Sequence, residues 1–239
     1  MLWSKVIGTG EHKPSDPYFS NVSLLLFGEG VSGSTNIIDS SNNAYSLTRS
    51  GAVQISTSVK EYGSGSIRFN GTTGDALVHN SPPVSLVDWY SSDYTIEAWV
   101  YADSFTSWGL SIPVLVGHKN LNDFTNNWSF GPIGDGSNRL VFFYYNGIEN
   151  RVYSTVALQT SAWNHVAMTN QSGMIRVYVN GIGTAAVPVS GIPTTGTATF
   201  SVNGYNNNYL TGYVDNLRIT KGVARYTSNF VPSANFPDQ

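Results

Sequence analysis

Apolar residues recur along the chain in short runs that alternate or stop at turn dipeptides, and almost nowhere at the period of a helix. Val22 to Phe27 is a continuous apolar run ending at Gly28, the pattern of a buried strand. Ser66 to Phe69 ends at Asn70-Gly71, a strong turn signal. Tyr94 to Tyr101 alternates, with Tyr94, Ile96, Ala98 and Val100 on one face and Thr95, Glu97, Trp99 and Tyr101 on the other. Leu140 to Tyr145, the turn Asn146-Gly147 and Arg151 to Tyr153 predict a hairpin. Trp163 to Thr169 and Met174 to Val179 bracket a second turn, and Thr197 to Val202 and Val214 to Thr220 complete the set. The stretch between Gly147 and Gly173 has room for a helix, but its β-branched and aromatic residues argue for strands.

Strands at this spacing predict an all-β chain folded as an antiparallel β-sandwich, or jelly roll. One domain over residues 18–225 accounts for them, while 1–17 and 226–239 carry prolines and are expected to run over the surface as arms.

Composition then removes several classes of function. Charged residues make up 11% of the chain, and Lys+Arg 12 against Asp+Glu 15 gives a net charge of −3. Soluble domains usually carry about 25% charge, so a nucleic-acid partner, which needs basic residues in excess, is not expected. No window of about 18 apolar residues exists to insert in a membrane. Zero cysteines exclude disulfides, thiolate zinc sites and a cysteine nucleophile. The Gly, Asn and Tyr content looks extracellular, yet Met1 to Ser15 has no signal-peptide apolar core.

Four stretches carry a family resemblance. Asn164-His165-Val166-Ala167 followed by Arg176 to Gly181 resembles the centre of concanavalin A-like laminin-G (LamG) jelly rolls. Gly65 to Gly71, Tyr94 to Val100 and Gly212 to Ile219 resemble three further strands of that family, in the same order. A narrower likeness lies in Thr220-Lys221-Gly222-Val223-Ala224-Arg225-Tyr226-Thr227, then Asn229-Phe230 and Pro232, with Asp16 to Phe19 at the other end. These resemble LamG-type domains of tailed-phage virion proteins. Such proteins assemble in the cytoplasm and leave by lysis, which implies a virion location without a signal peptide.

Some concanavalin A-like sandwiches are glycosidases, and a retaining enzyme needs two carboxylates about 5–5.5 Å apart. The Glu-x-Asp-x-x-Glu strand of the laminarinase-like members is missing, and the matching strand offers Glu97 between Thr95 and Trp99. His12, His79, His118 and His165 show no metal-ligand spacing, and no Gly-x-Ser-x-Gly elbow is present.

The resemblance also implies a structural Ca²⁺ near the rim of the sandwich, a cation that takes six to eight oxygen ligands. The matching positions are Asp39 and Asn42 in an early loop, Asn70 and Asp75 around a turn, and Asp215 ahead of the last strand. Each could equally cap a turn. Carbohydrate binding needs flat aromatics with amide or hydroxyl partners. Two stretches supply both: Trp108 with the polar connector Asn120 to Trp128, and Tyr205, Asn207 and Tyr209 before the last strand. Trp99 and Trp163, inside strand motifs, are expected to pack.

The leading expectation is a non-catalytic virion protein that binds a glycan on the host surface. A purely structural capsid or tail subunit, tied to neighbours or to further copies through its arms, is the alternative. A glycosidase comes third, because the acidic pair is missing.

Overall fold

The structure is a computed structural model describing residues 15–72, 74–104, 115–120, 123–191, 199–203 and 209–237. Its strands are β1 (Val22–Leu26), β2 (Thr48–Ser50), β3 (Gln54–Ser56), β4 (Ser66–Asn70), β5 (Ala76–His79), β6 (Tyr94–Ala102), β7 (Val116–Asn120), β8 (Asp123–Pro132), β9 (Arg139–Tyr145), β10 (Glu149–Ala157), β11 (Trp163–Gln171), β12 (Met174–Val179), β13 (Ile182–Gly183), β14 (Val187–Pro188), β15 (Thr199–Val202) and β16 (Thr211–Lys221). A 3-10 turn (Phe19–Asn21) precedes β1, and a helical turn, α1 (Val84–Val87), precedes β6. The first sheet runs β13-β12-β11-β6-β16-β4-β3, with β1 added to β16 and β14 to β12. The second runs β10-β9-β8-β7-β15-β5-β2. The pairings are antiparallel, as the sequence pattern predicts for a jelly roll.

The two inner faces meet in one core. From the first sheet come Ile96, Ala98 and Val100 of β6, Val166 and Met168 of β11, and Ile67 and Phe69 of β4. Phe130 of β8, Phe142 and Tyr144 of β9 and Phe200 of β15 oppose them. The polar connector expected over Asn120 to Trp128 is a strand pair instead, β7 running into β8. Period-two alternation decides this: Trp128 and Phe130 enter the core while Ser129 and Gly131 face away.

A bulge in β16 sets the chemistry of the outer face. Its register against β6 shifts between Asp215 and Arg218, where Asn216 takes a left-handed φ of 50°. An extra residue reverses the alternation beyond it. Val214 points inward before the bulge and Leu217 and Ile219 after it, so Asp215 and Arg218 both lie on the outer face. Arg218 is thereby brought opposite Glu97.

Both ends of the described chain cover that outer face. Residues 226–237, expected as an arm, lie on their own sheet. Tyr226 stacks on Phe230 with ring centroids 3.5 Å apart and planes 4° from parallel. Phe236 is buried with Val22, Leu25 and Trp99 in a second apolar cluster, flanked by Phe19 and Trp163. Gly181 permits the close approach: its φ is 78°, a Cβ there would collide with the Phe230 carbonyl, and its own carbonyl accepts from Phe230 N–H at 3.0 Å.

Candidate functional site

The outer face of the first sheet carries two unlike patches, one sealed and one open. In the sealed patch Glu97 is fully buried. Its Oε1 accepts from Arg218 Nε at 2.9 Å, with Arg218 Nη2 at 2.8 Å and Arg225 Nε at 3.7 Å. Its Oε2 accepts from the Tyr226 hydroxyl at 2.6 Å, and His165 Nε2 lies 3.4 Å away. Asp16 joins from the other end of the chain, accepting from Arg218 Nη1 at 3.0 Å and from Arg225 Nη2 at 2.6 Å. Phe236 lies over the Arg218 guanidinium at 4.0 Å.

Burial alone would push the Glu97 pKa up. Arg218, His165 and Arg225 outweigh it and hold the carboxyl well below the usual range. A catalytic acid needs an elevated pKa and access to substrate. Glu97 has neither, and the geometry makes it a structural counter-ion that secures the terminal segments.

The open patch is a row of in-register neighbours. Trp163 on β11 stands opposite Tyr101 on β6, Tyr101 opposite Tyr213 on β16, and Tyr213 opposite Arg68 on β4. All four side chains are half-buried. Ring centroids are 5.7 Å apart at each aromatic step, with planes at 64° and 79°. Arg68 lies 4.5 Å over the Tyr213 ring, donates to exposed Asp103 at 2.9 Å and reaches Asn70 Oδ1 at 3.2 Å. Apolar ring faces beside fixed donors and acceptors are the ingredients of saccharide recognition.

Two residues along β16 from Tyr213, on the same face, sits Asp215, with 1% exposure. Its Oδ2 accepts from the backbone N–H groups of Glu61 and Tyr62, each at 3.0 Å, while Oδ1 has no partner. Burial pushes its pKa up to about 7, the two amides opposing and the nearby Glu29 charge adding.

The expected sugar contacts fall differently. Trp128 is a core residue, 3% exposed, its indole N–H donating to the Val87 carbonyl at 2.9 Å. Its ring therefore has no face for a ligand. Trp108, Tyr205 and Asn207 lie outside the described residues. Tyr209 is half-buried just ahead of β16. Asp103 N–H donates to the Thr211 carbonyl at 2.8 Å, tying the end of β6 to the start of β16. Trp163, expected to pack, does pack against the second apolar cluster and also meets Tyr101 in the row. Tyr101, Tyr213 and Arg68 escaped notice because strand alternation marks a face without saying whether that face is covered.

The residues matched to a calcium site have these surroundings. Asp39 is buried and accepts from the backbone of Leu25, Ser41 and Tyr45 and from the Ser41 hydroxyl. Asn42 is exposed in the same turn. Asp75 accepts from Ala52 N–H at 2.7 Å and Asn70 N–H at 2.9 Å. Among the described residues no three His, Cys, Asp or Glu side chains converge as a metal site. Asp39 and Asp75 thus act as turn staples, accepting from backbone N–H groups. Also among the described residues, no helix is long and apolar enough to cross a membrane.

Against known proteins, the model of the concanavalin A-like lectin/glucanases superfamily, in its laminin G form, matches residues 70–225, well over half of the chain. The chain belongs to this superfamily. Solved structures in the concanavalin A-like fold agree. The binding domain of Paraclostridial Mosquitocidal Protein 1 superposes with a TM-score of 0.64 at 20% identity, over 87% of this chain and 50% of that one. Domain 4 of AbnA, an extracellular arabinanase from Geobacillus stearothermophilus solved with arabinotriose, gives 0.62 at 18%, over 84% and 93%. A botulinum neurotoxin type C structure, whose cell entry depends on two ganglioside molecules, gives 0.60 at 15%, over 85% and 48%. The chain thus spans about half the length of the toxin chains. At these identities the likeness is one of fold. No curated protein sequence matches significantly.

Proposed function

We propose that this domain is a non-catalytic glycan-binding module whose contact surface is the Trp163–Tyr101–Tyr213–Arg68 row. The observation that carries the reading is that these four in-register side chains remain partly exposed. The terminal segments meanwhile cover the neighbouring Glu97 and His165 completely. The superfamily supports it, since an arabinanase domain solved with arabinotriose and a ganglioside-dependent toxin share the fold. The resemblance of Thr220 to Thr227 to tailed-phage LamG domains extends the proposal to a virion-borne adhesin that recognises a polysaccharide on the host surface.

The test is retention of labelled protein on surface polysaccharides extracted from candidate host cells. Saturable retention lost in Trp163→Ala and Tyr213→Ala, with melting retained, supports the reading. No retention across the panel overturns glycan binding, and co-purification with particles would then favour a structural subunit.

A further inference from the structure

Asn-Gly pairs stand at Asn70-Gly71, Asn146-Gly147, Asn180-Gly181 and Asn203-Gly204. Such a pair carries its own chemistry. Glycine has no side chain to shield its backbone nitrogen, which can attack the side-chain amide carbon of the asparagine before it. The new C–N bond closes a succinimide ring, and the former amide nitrogen leaves as ammonia, taking the proton that the glycine N–H gives up. Water then adds to one of the two ring carbonyls and opens the ring, leaving an aspartate or an isoaspartate. In a fold, the attack needs a side-chain amide free to turn onto the main chain, access for water, and a donor to stabilise the oxyanion that forms at Oδ1.

Three of the pairs are held against this reaction. Asn203 is fully buried, with Oδ1 accepting from Leu210 N–H at 2.7 Å and Nδ2 donating to the Asp75 carbonyl at 2.9 Å. Asn146 accepts on Oδ1 from Asn150 Nδ2 at 3.0 Å and donates through Nδ2 to the Ser190 carbonyl. Asn180 has a left-handed φ of 50°. Its N–H donates to the His165 carbonyl and its Oδ1 accepts from His165 N–H, each at 2.8 Å. Turning any of these three amides breaks a hydrogen bond to another segment of the chain.

Asn70 differs on each count. It is exposed at the end of β4, and among the described residues its Nδ2 has no hydrogen-bond partner. Its backbone N–H donates to Asp75 Oδ2 at 2.9 Å, which holds the main chain while the side chain turns. Its Oδ1 accepts from Arg68 Nε at 3.2 Å, a charged donor aimed at the atom where the oxyanion develops. Arg68 is itself anchored, by Asp103 at 2.9 Å and over the Tyr213 ring at 4.5 Å, so the donor is in place before the reaction starts. The partners on Oδ1 of Asn146, Asn180 and Asn203 are all neutral amides.

We infer that Asn70-Gly71 is a self-modifying site, where Arg68 promotes conversion of the asparagine to aspartate or isoaspartate in the folded protein, ahead of the other three pairs. The product alters its surroundings. A carboxylate at position 70 competes with Asp103 for Arg68. An isoaspartate lengthens the main chain just before Gly71, where even a Cβ would collide with Thr211 Oγ1.

The experiment is timed incubation of the whole chain at mildly alkaline pH, folded and in concentrated urea, followed by peptide mass mapping that separates aspartate from isoaspartate. In the fold, conversion at Asn70 should outrun each other pair by at least about fivefold, the worth of one hydrogen bond, and urea should remove that lead. Arg68→Gln, confirmed as folded by its melting curve, should slow conversion at Asn70 by about tenfold in the fold and leave it nearly unchanged in urea. Matching rates at the four pairs in the folded chain would overturn the inference, as would a lead for Asn146, Asn180 or Asn203. A lead of Asn70 that persists in urea would assign the preference to local sequence and overturn the part played by the fold. An unchanged rate in folded Arg68→Gln would remove the guanidinium from the reaction and overturn the inference as well. The comparison of folded and unfolded wild type decides the matter even where the variant does not fold.

Discussion

Asp16 and Arg225 meet as a two-pronged ion pair across 209 residues of chain, Nη1 to Oδ1 at 3.0 Å and Nη2 to Oδ2 at 2.6 Å. Both side chains are more than nine-tenths buried. Removing one partner of a buried pair leaves an uncompensated charge and costs about 3–5 kcal/mol. Asp16→Asn is expected to destabilise by about 3 kcal/mol in urea titration. A loss below about 1 kcal/mol, the level of an exposed pair, would show that the pair contributes little to holding the ends.

Acid should release the same cluster. Glu97 and Asp16 both titrate below their ordinary values of 4.5 and 3.8 in the fold, because the arginine partners outweigh burial. Their stabilisation is complete above the unfolded values and is lost as pH falls through the folded ones. The melting temperature should therefore drop steeply below about pH 4, and Glu97→Gln should flatten that drop while lowering stability at neutral pH.

Asp215 has the opposite sign. Its folded pKa of about 7 lies above the ordinary 3.8, so the fold binds the extra proton and stability from this group falls as pH rises between those two values. Asp215→Asn keeps an oxygen for the Glu61 and Tyr62 amides. It should stabilise the protein at pH 8 by roughly 1–3 kcal/mol, a gain that fades toward pH 5. Equal effects at both pH values would show that Asp215 stays ionised in the fold.

The row and the core should separate under mutation. Trp163→Ala and Tyr213→Ala remove half-exposed rings and are expected to cost about 1–2 kcal/mol while eliminating polysaccharide retention. Phe236→Ala removes a fully buried ring and is expected to cost about 3 kcal/mol with retention kept in the folded fraction. Melting curves beside a binding assay check both.

Much of the fold was legible because burial on one face leaves a period-two trace. Tyr94 to Tyr101, Trp163 to Thr169 and Met174 to Val179 were each read as strands from alternation or an apolar run, and all three are. β7 and β8 were missed because their polar stretch from Asn120 looks like a loop until the strand is seen to enter the core at Trp128. The site was less legible for a different reason. The bulge at Asn216 inverts the alternation of β16, and Asp16 and Phe236 reach the outer face from opposite chain ends. Which half of that face stays open depends on where those segments lie, and no local pattern around Tyr101 or Trp163 records it.

The position of the two ends also has a mechanical consequence. Val22 at the start of β1 lies beside Thr220 near the end of β16, in an antiparallel pair. Tension applied between Val22 and Thr220 would open that pair like a zip, one rung at a time, the weak direction for a sheet. Asp16, gripping Arg218 and Arg225, stands at the mouth of the zip and must let go before Val22 can part from Thr220. Asp16 with Arg218 and Arg225 thus forms an ionic clasp at the edge of the β1–β16 pair, so any separation of these two strands has to break it.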